Sequence, residues 1–186
     1  MSEPTPKTTP IKVPELQRIT SEYVEAEDRM RLTGDTEQGE AQLLWISQRL
    51  MIRLVTHLLK WLENQGVANL ASAPENEQAK EMVQGFAQQT AEATLTPEPP
   101  VQSKADSKSW LVHEIDINTF PEAVQLLFKD STRDQASLIL QTEHLRQWLS
   151  IIHGQWVKAE WPMSIWPQWM HESLTTGPAQ SETSIH

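Results

Sequence analysis

The chain has 186 residues, a formal net charge of -10 and 38% apolar residues, enough for one domain with a sizeable core or two small halves sharing one. No segment concentrates Lys and Arg, which argues against phosphate-driven nucleic-acid binding and against the basic amphipathic helix expected at an anionic membrane. Cysteine is absent, so disulfides, thiolate catalysis and Cys-ligated zinc are excluded.

Lack of cysteine also fits a reducing compartment, and the opening MSEPTPKTTP has no apolar stretch of a secretory signal. The longest apolar run, from Leu50 to Leu62, is interrupted by Arg53, His57 and Lys60, too polar to span a bilayer. A cytoplasmic protein is expected.

Residues 1–14 are rich in Pro and Thr and read as a disordered arm. A first strand–helix half is expected over 15–63. From Tyr23 to Leu32 apolar and charged residues alternate, with Val24, Ala26, Met30 and Leu32 on one side and Tyr23, Glu25, Glu27, Arg29 and Arg31 on the other. That period predicts a half-buried antiparallel strand, broken only by Asp28. TGDTEQGE, from Thr33, reads as a hairpin loop. A second strand runs from Ala41 to Ile46. Ser47 then supplies a helix cap, and Leu50, Met51, Leu54, Val55, Leu58 and Leu62 recur at helical spacing to about Glu63.

Residues 64–108 differ in kind. Glu77 to Thr94 can form a helix with Ala79, Met82, Val83, Phe86 and Thr90 on one face, weakened at Gly85 by roughly 1 kcal/mol relative to Ala. TPEPPVQSKADSKS then reads as a linker. Order resumes in a second half over 109–160. WLVHEIDIN alternates as a strand, Ala123–Phe128 and Ala136–Gln141 follow as further strands, and Thr142 caps a helix carrying Leu145, Trp148, Leu149, Ile152 and Trp156. Residues 161–172 are Trp-rich and irregular, and 173–186 read as a disordered tail.

The two halves invite alignment. With residue 41 placed on 136, an offset of 95, Ala41 meets Ala136, Leu43 meets Leu138, Ser47 meets Thr142 and Trp61 meets Trp156; five of 21 positions are identical. An α+β fold is expected, with two similar antiparallel strand–strand(–strand)–helix halves sharing one core, and internal duplication as their origin.

Chemistry is thinly signalled. His57, His113, His144, His153, His171 and His186 show no metal-ligand spacing, and no phosphate-binding or nucleophile-elbow motif occurs. Glu25, Glu27 and Asp28 cluster, and read more simply as a solvated strand face. No catalytic residue, metal or cofactor is expected. Trp161, Trp166 and Trp169 lie beyond the last helix among prolines; they either plug the chain's own sheet–helix edge or form an aromatic surface for a protein partner or a second subunit.

The leading reading is a non-catalytic interaction or scaffold protein. Strands followed by a helix, twice over, are similar in outline to the Whirly and PUR-type folds, which present curved sheets to single-stranded nucleic acid. That resemblance is topological and rests on no motif. It implies an aromatic and basic sheet face, for which Tyr23, Arg29 and Arg31 are the candidates, diluted by Glu25 and Glu27. A third reading is an enzyme with a pocket that no motif marks.

Overall fold

The computed structural model describes residues 12–68 and 77–171. Most of the predicted arm and all of the predicted tail lie outside them. In chain order the described residues form β1 (Glu15–Val24), β2 (Arg29–Thr36), β3 (Ala41–Ser47), α1 (Gln48–Ala68), α2 (Glu77–Ala93), β4 (Lys108–Leu111), β5 (Glu114–Thr119), β6 (Ala123–Lys129), β7 (Gln135–Gln141) and α3 (Thr142–Lys158). The fold is α+β. The seven strands make one curled sheet in the order β4-β3-β2-β1-β7-β6-β5. No helix among the described residues is long and apolar enough to cross a membrane.

The single strand predicted from Tyr23 to Leu32 is instead a corner between two strands. A 3-10 turn at Glu25–Glu27 ends β1, and Asp28 takes a left-handed φ of 48° before β2 begins. The corner inverts the alternation, because antiparallel partners share a face: Tyr23 pairs with Met30 and Val24 with Arg29, each expected on opposite sides. β2 runs on through Gly34, which the sequence assigned to a loop. Gly34 serves a close approach, since a Cβ there would lie 2.8 Å from Leu16 Cδ1. The turn itself is confined to residues 37–40, with Gly39 at φ 76°.

WLVHEIDIN also divides. β4 pairs in parallel with β3 at one edge of the sheet, and β5 pairs antiparallel with β6 at the other. Val112 and His113 bridge the edges: the Val112 amide donates to Trp45 O, and the His113 amide to Lys129 O. A regular alternation cannot reveal a strand that changes partners halfway.

The helices α1 and α3 cover one face of the sheet, over a core that includes Met30, Leu32, Leu44, Ile46, Leu126, Leu138 and Leu140. Ser47 accepts from the Leu50 amide at 3.4 Å at the start of α1, which runs five residues past the predicted end. Thr142 is not the cap of α3 but its first residue; its hydroxyl donates to Glu122 O.

Each half holds a three-stranded antiparallel meander, β1–β3 or β5–β7, followed by a helix; the meanders join through the parallel pairing of β1 with β7, and β4, outside both, adds in parallel to β3. The offset that matches them is 94, not 95. It carries Ala41 to Gln135 and Gln48 to Thr142 at the element starts. It also carries the register pair Leu32–Leu44 onto Leu126–Leu138. At 95, buried Leu44 falls on exposed Ile139; at 94 it falls on buried Leu138. A one-residue slip turns every strand side chain to the wrong face, and the identities in the 95 alignment are incidental. At 94, from 29 to 62, only Leu32/Leu126 and Leu44/Leu138 are identical.

Candidate interaction surfaces

The Trp-rich segment is built onto the end of α3. Glu160 takes φ 55°, and Pro162 removes the next donor, so the chain turns back instead of continuing the helix. Trp156, fully buried, organises the residues beyond this turn. Its indole Nε1 donates to Pro162 O at 3.1 Å. Trp161 and Trp166 stack edge-on against it at 4.9 and 5.5 Å. Trp161 also meets Tyr23 at 5.7 Å. Trp169 donates from Nε1 to Glu63 at the far end of α1, and its Cβ lies 3.8 Å from where a Cβ on Gly85 would sit. Exposures of 5%, 5% and 2% for Trp161, Trp166 and Trp169 make them a plug of this chain's own core. Trp161 is covered by Tyr23 and Trp156, Trp166 by His153 and Trp156, and Trp169 by residues of α1, α2 and α3.

Tyr23, Arg29 and Arg31 are not brought together. Tyr23 faces the helix side with Met30, and its hydroxyl donates to Asp28 at 2.9 Å, which raises its pKa. Arg29 and Arg31 lie on the opposite face, level with Val24 and Glu22. Arg31 pairs with Glu22 and sits 5.4 Å over the Trp45 ring; Arg29 reaches Glu27 at 4.0 Å. Other cations of the sheet are likewise matched. Arg18 is bonded to Asp35 at 2.8 Å, Lys108 to Asp134, and Lys129 to Glu114 and Asp116, so that Lys129 holds the Asp116 carboxyl below its usual range. The predicted linker crosses this face. Val101 is buried, its amide donating to Thr20 Oγ1 at 2.9 Å, and Glu98 lies 3.9 Å from Arg18.

Beneath α2 lies a polar layer that sequence reading missed. Gln84 and Gln88 are 4% and 0% exposed. Gln84 Nε2 donates to Leu62 O, and Gln88 Nε2 to Arg146 O, both at 3.0 Å. Arg146, also buried, donates to Gln84 Oε1 at 2.6 Å and lies 5.7 Å from the Trp169 ring. Burial lowers its pKa to about 10, so it stays charged at neutral pH. Two turns on, His153 packs against Trp166 at 4.7 Å and His171 at 5.3 Å. Burial, with the neighbouring His171, pushes its pKa down to about 4.

That layer settles the orientation of α2. Its inward residues are Gln84, Gly85, Gln88 and Ala91. Its apolar residues face outward: Met82 is 76% exposed, Phe86 73% and Val83 39%. Amphipathic helices ordinarily bury the apolar stripe; here it is the side turned away from the body. Gln84, Gly85 and Gln88 form a narrow strip on α2 in the sequence, but the partners that bury it come from α1, α3 and the segment after α3.

Two clefts of 360 and 540 Å³ are open and polar. The first is lined by residues such as Gln38, Glu40, Lys104 and Lys108, the second by Gln65, Glu122 and Glu143. Among the described residues no three His, Asp or Glu side chains are placed to share a metal ion. Comparison with family models, curated proteins and solved structures found no match.

Proposed function

We propose that this chain is a non-catalytic interaction protein that docks through the outward face of α2. The observation that carries the reading is the inverted helix, whose Met82 and Phe86 are about three-quarters exposed while Gln84 and Gln88 are buried. Leaving such a stripe in water forgoes roughly 1.5–3 kcal/mol per large side chain, and contiguous apolar surface of this kind marks docking sites. The same reading places the protein in the cytoplasm and takes its two halves as an internal duplication, supported by their common pairing order and face-for-face offset.

The test uses a photoreactive phenylalanine in place of Phe86, in cells that make the chain. A discrete protein adduct is expected, diminished when Met82→Glu is added. The same probe at exposed Thr132 serves as control. Adducts at 86 no stronger than at 132 overturn the proposal.

A further inference from the structure

Resting on that docking role for α2, we infer that the occupant of its outward face is a second copy of this chain, bound as an antiparallel helix pair centred on Phe86. The argument starts from spacing. Ala79, Met82, Phe86, Thr90 and Ala93 form a stripe with steps of three, four, four and three, a palindrome about Phe86. Reversing the helix therefore lays the stripe on itself: Phe86 meets Phe86, Met82 meets Thr90, and Ala79 meets Ala93. Closed two-fold pairs are self-complementary in this way. Small residues at both ends let the backbones approach, and the Thr90 hydroxyl is already turned back to Phe86 O at 2.9 Å.

Charge agrees with that arrangement. The charged residues of α2 are Glu77, Lys80, Glu81 and Glu92, each roughly 120° or more around the helix from Phe86 at 100° per residue. Reversal about Phe86 sets Glu77 level with the second copy's Leu95 and Glu81 level with its Ala91. Lys80 comes level with Glu92, and no carboxylate is level with another. A parallel pair would instead align Glu77 with Glu77 and Glu81 with Glu81. Antiparallel helix dipoles favour the same choice.

Size sets the affinity. One helix on another buries on the order of 800–1,000 Å² in total, below the ~1,200–2,000 Å² of stable complexes. Two chains of net charge -10 also repel one another. The pair should be weak, with Kd of about 10–100 µM, and should tighten several-fold as salt screens the repulsion.

Sedimentation equilibrium of the full chain from ~5 to ~500 µM should show reversible dimerisation with that Kd and salt response. Phe86→Glu and Met82→Glu should each leave a monomer across the range. Both positions are exposed, so circular dichroism and melting should match the parent. Because the chain has no cysteine, Phe86→Cys should oxidise to a covalent dimer. Glu77→Cys should not, since its counterpart lies about 27 Å away across an antiparallel pair. A monomer throughout, a dimer indifferent to Phe86→Glu, or cross-linking at Glu77→Cys as readily as at Phe86→Cys overturns the inference. A monomer that still gives an adduct with another protein from position 86 removes the self-pair and leaves the docking role standing; absence of both removes the two together.

Discussion

His153 shows what burial does to one side chain. Its ring is 3% exposed and wedged among Trp166 and His171, so the neutral form is strongly favoured and the pKa falls to about 4. Unfolded, the same ring titrates near 6.5. Between those values the unfolded chain binds more protons than the folded one, so stability rises with pH across this window. The contribution is complete above about pH 6.5 and is lost as pH falls toward 4, by roughly 3 kcal/mol. Denaturant melts at pH 7 and pH 4.5 should show this acid loss, and His153→Phe, which keeps a ring but cannot charge, should reduce it. An unchanged acid limb in the variant would assign the pH dependence elsewhere. Histidine in the sequence carried no sign of this, because the enclosing rings come from residues 166 and 171, beyond the end of the helix that holds it.

Among the elements, the segment after α3 and the helix α2 make opposite use of their apolar residues. Trp169 is sealed between Gly85, Arg146 and Glu63, whereas Phe86 points into solvent. Trp169→Ala should therefore cost about 3–5 kcal/mol in unfolding free energy, and Phe86→Ala under about 0.5 kcal/mol, measured side by side in urea. Ending the chain after Glu160 removes Trp161, Trp166, Trp169 and Met170 from the core at once and should abolish cooperative unfolding. A truncated chain that melts like the parent would show that these tryptophans hold nothing together. The presence of α2 was legible in its spacing. Its rotation was not, because the polar layer beneath it is completed by Arg146 from another helix.

At the scale of the molecule, the charges of the curled sheet bear on the single-strand reading, whose candidate residues Tyr23, Arg29 and Arg31 do not share a face. Arg18, Arg31, Lys108 and Lys129 all have carboxylate partners, and the segment through Val101 crosses the uncovered face. Binding there would release few counterions. An unstructured oligonucleotide at ~150 mM salt, titrated to ~100 µM protein, should show no change in anisotropy. A micromolar, salt-sensitive rise would restore the nucleic-acid reading. The joining of the meanders through β1 and β7, with β4 added to β3, also means that neither meander completes the sheet alone.

Local periodicity by itself determined the class, the helices and most strands, since a half-buried strand or helix writes its spacing directly into the chain: Leu54, Val55 and Leu58 in α1 needed no further context. What faces what was decided only by the tertiary structure. Tyr23 and Arg31 read as neighbours on one strand until the corner at Asp28 put them on opposite faces. The offset of 95 gathered identities, while the sheet register required 94. The stripe on α2 could be seen, but the side it turns to water depends on Gln84, Gln88, Arg146 and Trp169 meeting across long sequence separations. Sequence spacing records the period of an element; its phase relative to the core is set by partners the element does not contain.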